Sequence, residues 1–362
     1  MNKFIVSSNN FLLELKSQLL KDNVPYYFLA FVITLYYSRI LGFGFSPLDD
    51  PVLITSRLDW LRDPANLINA LSQNYHINLY RPILIVSFMI DAIIGDGRAV
   101  VFHMTNLILH IIATLLLFHL LVITAGKSGK TFALSLLFAI HPIHIHSVAW
   151  IPGRNDILLS IFVLSTVITV LEYIKDNKTS ILIIHVFSFL LAIFTKESAV
   201  FIPVITFFII WNFHRQKIRV FYLKLLPIYV FILGFWTFCR LTAGGNDISV
   251  KMWSSFSPFY DLLNLFIISI GKSISPYFQQ IIPYYEDTPL LYLIVFLLMI
   301  TIIIYNIKHL TRWSAVGILW FVLFTIPGGV WSIFVLQDNI FYEHRMYLPL
   351  MGVVIFFQST SP

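Results

Sequence analysis

The chain reads as an all-α, polytopic integral membrane protein, with about ten transmembrane helices and interfacial helices in its first external loop. Three observations predict this class. Of 362 residues, 58% are hydrophobic and only 12% charged, and mean hydropathy is +0.83. A soluble domain carries charge at roughly a quarter of its positions. Apolar stretches recur at the length, about 20 residues, that a helix needs to cross roughly 30 Å of hydrocarbon. The 34 Phe, 17 Tyr and 8 Trp supply material for aromatic belts at the membrane surfaces.

The elements follow in order. Residues 1–23 form a cytoplasmic amphipathic segment in which Phe11–Leu20, with Lys16 and Lys21, predicts a short helix lying on the membrane. It lacks the small-residue cleavage site of a secretory signal. Residues 24–362 form one transmembrane domain. Spans are expected at 24–44, 99–123, 131–150, 156–174, 180–195, 198–213, 220–241, 289–307, 314–336 and 346–358.

Two more apolar stretches, 82–95 and 258–274, are placed at the outer interface by parity. With neither crossing, Lys3, Lys16, Lys21, Lys127, Lys130, Lys175, Lys178, Arg215, Lys217, Arg219, Lys224, Lys308 and Arg312 share one side with few acids. That arrangement follows the positive-inside rule and makes both termini cytoplasmic. The longest external segment, 45–98, carries the acidic pair Asp49–Asp50, and apolar residues at helical spacing through Val52–Leu61 predict short surface helices. Loops of this length inside a compact protein are usually functional.

Several function classes drop out. Cys239 is the one cysteine, which excludes an intrachain disulfide and a Cys-based metal cluster. The pI near 9.2 is accounted for by basic cytoplasmic loops, without a nucleic-acid partner. Gly126–Lys130 lacks full Walker spacing and a preceding strand, so it reads as a basic turn. The Asn177-Lys178-Thr179 sequon falls on the cytoplasmic side and carries no weight.

Ionisable residues beside lipid-embedded helices are costly and mark function by default. Here they gather on the expected external side, from five separate segments. They are Asp49 and Asp50; Arg81; His141, His144 and His146 with Arg154 and Asp156; Lys196 and Glu197; and Glu343, His344 and Arg345. Fixed cations at a membrane surface suit a phosphate whose lipid tail stays in the bilayer. A carboxylate nearby can take a proton from an attacking hydroxyl. An ion-pair network holding the loops together would use the same residues, and on the residues alone the two readings weigh evenly. His141, His144 and His146 also raise a divalent-metal site, weighed below structural or phosphate hydrogen bonding because no cysteine completes the shell. His103, Asn106 and His110 share one helix face, where interhelical packing is favoured over substrate contact.

Asp49-Asp50, Arg81-Pro82, Phe102–His110 (FHMTNLILH), His141–Asp156 (HPIHIHSVAWIPGRND), Thr195-Lys196-Glu197 and Glu343–Pro349 (EHRMYLP) also occur together in a known order and spacing. In these segments the chain resembles bacterial multispanning relatives of the transmembrane-and-TPR O-mannosyltransferases, within the GT-C superfamily. The resemblance runs from about Phe45 to Gly352, and His141–Asp156 is its most specific part.

The resemblance implies a GT-C-like fold and an inverting glycosyltransferase. Such an enzyme transfers mannose or another hexose from a polyprenyl-phosphate-linked donor to a hydroxyl of a protein, glycan or glycolipid acceptor. It would sit among the lipids of a bacterial inner membrane with its site facing outside. By the same likeness the first-loop carboxylate is the general base, with Asp50 preferred to Asp49. Arg154, Lys196 and Arg345 contact the donor phosphate, with Arg81 as a weaker contact. His141, His144, Asp156, His103 and Glu343 are then expected to line the substrate site. The chain departs from the pattern at His146, where relatives usually carry Glu, at Asn155-Asp156 in place of Lys-Asp, and in having no TPR repeats. The rival classes are a transporter or flippase and a non-catalytic family member.

Overall fold

The computed structural model describes residues 20–74, 79–244, 258–275, 290–305, 308, 310–330 and 342–360. The expected surface helix at Phe11–Leu20 (apart from its last residue) and the end of the expected span 314–336 lie outside them. Every regular element among the described residues is helical. Helix α1 (Val24–Tyr37) continues as a 3-10 turn to Gly42, and the first loop holds α2 (Asp50–Leu53), α3 (Leu58–Arg62) and α4 (Leu67–Ser72). Then come α5 (Pro82–Ile94), α6 (Ala99–Ala125), α7 (Gly129–Ala139), α8 (Ile145–Val148), α9 (Arg154–Asp176) and α10 (Thr179–Thr195). They are followed by α11 (Ile202–Phe213), α12 (Leu226–Thr242), α13 (Pro258–Ile274), α14 (Leu290–Tyr305), α15 (Arg312–Val330) and α16 (Tyr347–Ser359).

Local chemistry sets the boundaries. Proline opens α5, where its missing N–H costs nothing. Gly126 ends α6 at φ +82°, and Asn177 ends α9 in the left-handed region. The Ser128 hydroxyl caps α7 by accepting from the Thr131 N–H at 3.1 Å.

Four helical stretches are long and apolar enough to cross a membrane: Val24–Gly42, Ala99–Ala125, Ile151–Asp176 and Arg215–Thr242. A fifth is the pair Gly129–Ala139 and Pro142–Val148, bent by 43°. That is fewer than the ten spans expected, because α10 and α14 are 17 and 16 residues long and α11 and α16 are shorter still. The expected straight span 131–150 is a broken one. Pro142 cannot continue the helix ladder, and His141 before it is extended at φ −63°, ψ 129°.

Helix α9 is the pillar of the bundle: 78% of its apolar window is buried, and it packs against α6, α10, α11 and α16. Many polar side chains inside the bundle are paired, which lowers the cost of burying them in hydrocarbon. His185, for example, bridges the Thr166 carbonyl at 3.0 Å and the Tyr229 hydroxyl at 2.8 Å. Helices α15 and α16 meet backbone to backbone. A Cβ on Gly317 would lie 2.6 Å from the Gly352 carbonyl oxygen, and one on Gly352 equally close to that of Gly317.

The helix ends sort into two poles. At one, Lys127, Lys130 and Arg312 donate to the carbonyls of Asp22, Thr360 and Asn212, each at 2.6 Å, and Lys217 donates to that of Ile174. Lys217, Arg312 and Lys130 thereby sit at the C-terminal ends of α9, α11 and α16, where a cation complements the helix dipole. At the other pole lie Arg81, Asp156, Lys196, Glu197 and Glu343, described next. Helix α5 starts there, at Arg81, and runs by a tight turn through Gly97 (φ +70°) into the start of α6 at the same pole.

Candidate functional site

The break after α7 builds the framework. The Asn106 side-chain amide, on α6, donates to the carbonyls of Val148, Trp150 and Ile151 at 3.2 to 3.3 Å, pinning the turn between α8 and α9. Gly153 passes so close to His146 and Ser147 that a Cβ would overlap their backbone. The turn therefore delivers Arg154 into the protein interior. All three of its guanidinium nitrogens are engaged there: with Asn106 Oδ1 at 2.7 Å, the Phe102 carbonyl at 2.8 Å, Ser87 twice at 3.2 Å, and Asp91 in an ion pair. Its guanidinium also lies 5.0 Å from the Phe88 ring centre. Arg154 is fully buried. The expected phosphate contact is thus a side chain turned inward, where it joins α5, α6 and α9.

Three further ion pairs from distant segments meet beside this turn. Lys196 Nζ donates to Asp156 at 2.6 Å. Arg81 grips Glu197 with two bonds, at 2.7 and 3.2 Å. Lys272 pairs with Glu343, whose second oxygen faces His146 Nδ1 at 3.7 Å. Arg345 stacks on Tyr342 at 4.4 Å and donates to the Gly328 carbonyl at 2.5 Å. Lys196 is within electrostatic range of both Arg81 and Arg345. Burial pulls its ammonium below its ordinary value against the opposing effect of Asp156. Burial pushes the Glu197 carboxyl up, but Arg81 and Lys196 outweigh it and hold it down to about 2. The group is thus a set of cations, each of Arg81, Lys196 and Lys272 facing a carboxylate.

The acidic pair lies to one side. Asp49 is exposed, while Asp50 opens α2 and is 1% exposed. The Ser46 N–H donates to Asp50 Oδ2 at 2.6 Å, and Oδ1 is buried with no hydrogen-bond partner among the described residues. Burial pushes the Asp50 carboxyl up to about 6, the Ser46 bond opposing and Asp49 adding to the rise. Leu53 and Ile54 seat α2 in a small apolar core with Phe88, Phe102 and Ile151, against the same turn that carries Arg154.

The histidines are placed unequally. His103 Nε2 contacts the Gly44 carbonyl at 3.2 Å, tying the loop entrance to α6. His110 joins the Tyr347 hydroxyl at 2.6 Å and the Ala139 carbonyl at 2.9 Å, which is the packing role. His141 Nδ1 accepts from the Ile143 N–H at 3.3 Å. His144 is fully buried among Phe138, Tyr347 and His110, and neither ring nitrogen has a hydrogen-bond partner among the described residues. Among the described residues no group of three or more His, Cys, Asp or Glu side chains is arranged to hold a metal ion.

Two residues of this network escaped sequence reasoning. Asp91 and Lys272 each sit as a charge in an apolar helical stretch, α5 and α13. A charge inside an apolar helical stretch is itself a signal of function or pairing.

No family model matches the chain, and no solved structure does. Among curated proteins it is similar to human protein O-mannosyl-transferase TMTC1, 37% identical over 89 residues, which is 24% of this chain and 10% of the relative. It is also similar to Caenorhabditis elegans protein O-mannosyl-transferase F38B6.6, 34% identical over 128 residues, or 33% and 17% of the two chains. Mouse protein O-mannosyl-transferase TMTC2 is 29% identical over 180 residues, or 45% and 21%. The matches thus span about a tenth to a fifth of these relatives' own length. The protein is a helical membrane protein with protein O-mannosyl-transferases among its relatives.

Proposed function

We propose that this chain is an inverting membrane hexosyltransferase of GT-C type. In this reading it moves mannose or another hexose from a polyprenyl-phosphate-linked donor to an acceptor hydroxyl on the outer face of a bacterial inner membrane. The observation that carries the reading is the meeting of Arg81, Lys196 and Arg345, from three separate segments, at one pole of the bundle. Relatives named as O-mannosyl-transferases support the sugar-transfer chemistry.

Lys196, Arg345 and Arg81 hold the donor phosphate at the membrane surface, while the lipid tail stays in hydrocarbon. The acceptor oxygen forms its bond to the anomeric carbon as the bond from that carbon to the phosphate oxygen breaks. The acceptor proton passes to the Asp50 carboxylate, and the phosphate leaves with the bonding electron pair. Its second negative charge develops against the cations. Arg154 positions the α8–α9 turn rather than touching the phosphate. The pole contacts support about ten crossings. Helices α10, α11, α15 and α16, though short, each join the basic pole to the charged cluster.

The bend between α7 and α8 is a feature that transporters share. Yet the groups packed around it are His110, Phe138, His144 and Tyr347, with no carboxylate bonded to them among the described residues. The test is transfer by the purified chain in lipid nanodiscs, with polyprenyl-phosphate-linked mannose and glucose as donors and hydroxyl-bearing peptides, glycans and glycolipids as acceptors. Product of inverted anomeric configuration is expected. Flux of the intact lipid-linked sugar across the bilayer without transfer would replace this reading with the transporter one.

A further inference from the structure

At the end of α13, three successive residues enter three different elements. Gly271 lies so close to α14 that a Cβ would come within 2.6 Å of Tyr292 Cδ1. Lys272, 2% exposed, pairs with Glu343. Ser273 lies beside the His141 imidazole at the helix break. Glu343 is itself 1% exposed, so it presents almost no surface to a substrate. Two residues further along the same 3-10 turn, Glu343–Met346, is Arg345.

A buried carboxylate is tolerated only while its charge is met, and an uncompensated one drives its segment toward water. The place of the Glu343–Met346 turn therefore depends on a cation delivered by α13. His146 fits this dependence. As an imidazole 3.7 Å from Glu343, it adds no negative charge that would compete for Lys272.

We propose that Lys272 is a positioning residue: by pairing with Glu343 it docks the end of α13 against the Glu343–Met346 turn and sets Arg345 for the donor phosphate. This rests on the donor reading above. It makes α13 a part of the phosphate site, and it gives Glu343 a scaffolding role in place of the expected substrate contact.

The experiment measures binding of a long-chain polyprenyl monophosphate, and of the unphosphorylated polyprenol, to the full chain in nanodiscs. Lys272→Met is expected to weaken phosphate binding by roughly tenfold and leave polyprenol binding unchanged, while Lys272→Arg stays near the wild-type value. Adding Glu343→Gln to Lys272→Met removes the stranded charge and is expected to restore most of the phosphate affinity. A double variant as weak as the single one would mean that Lys272 touches the phosphate itself. Equal loss of both lipids would mean that it merely holds the fold, and unchanged phosphate binding in Lys272→Met would mean that it does neither. Each of these overturns the proposal while leaving the donor reading in place. A wild-type chain with no preference for the phosphate over the polyprenol would instead overturn the donor reading, and this inference with it.

Discussion

Asp49 and Asp50 are neighbours in sequence with opposite surroundings, and the difference bears on which can act as a base. Asp49 is solvated, whereas Asp50 is buried, held through one oxygen by Ser46, and has its other oxygen unpaired among the described residues. Asp50→Asn is expected to reduce sugar transfer by about a thousandfold or more, at the upper part of the range for a lost acid–base group, with unchanged thermal unfolding. Retained turnover would remove the assignment. Because burial lifts the Asp50 carboxyl from 3.8 to about 6, transfer should fall about tenfold per pH unit below that value as the base is protonated. The same shift acts on stability in the opposite sense. The folded state keeps this proton longer than the unfolded chain, so this group's contribution to stability declines as pH rises from about 4 to about 6. A pH–rate profile of the wild type, read beside its melting temperature, separates the two. The acidic pair was visible in the sequence, but which member is buried was not. That depends on α2 seating Leu53 and Ile54 on Ile151, a contact between residues about a hundred positions apart.

Among the elements, α5 shows how far a linear pattern reaches. Its apolar composition predicts the helix that forms over Pro82–Ile94, and the parity of basic loops places it, in the proposed topology, beside the membrane. The pattern did not show that Asp91 reaches across to Arg154. Linear spacing identifies a helix face, while the partner on another helix depends on packing. The same limit explains Arg154, expected at the phosphate and found with all three guanidinium nitrogens engaged inside the fold. Removing one side of such a buried pair costs about 3 to 5 kcal/mol, whereas replacing both with apolar groups is far cheaper. Arg154→Met is therefore expected to lower the unfolding temperature strongly, and Arg154→Met with Asp91→Leu to recover much of the loss. Thermal unfolding of the wild type, both single variants (Arg154→Met and Asp91→Leu) and the double in one detergent checks this, and full additivity of the single effects would refute the coupling. The helix break was half legible. His141-Pro142 reads as a turn, but its depth along the bundle emerges only from His110 donating to the Ala139 carbonyl at the end of α7.

At the scale of the whole molecule, the sorting of charge into two poles was the most legible feature, because it follows from where short basic loops fall between apolar stretches. The count of crossings was less so, since several apolar helices are shorter than a bilayer is thick. The proposed orientation predicts that Gly129→Cys, in a chain with Cys239→Ser, resists an impermeant thiol reagent applied to intact cells and reacts once the cells are opened. Labelling of intact cells would invert the topology. The crossing of α15 and α16 at Gly317 and Gly352 has a consequence for natural variation. The turn bearing Arg345 leads directly into α16, so a single methyl added at either glycine would wedge the two rods apart and swing that arginine off its perch. Inactivating mutations should therefore arise in a wholly greasy stretch of the gene, with no change of charge to advertise them.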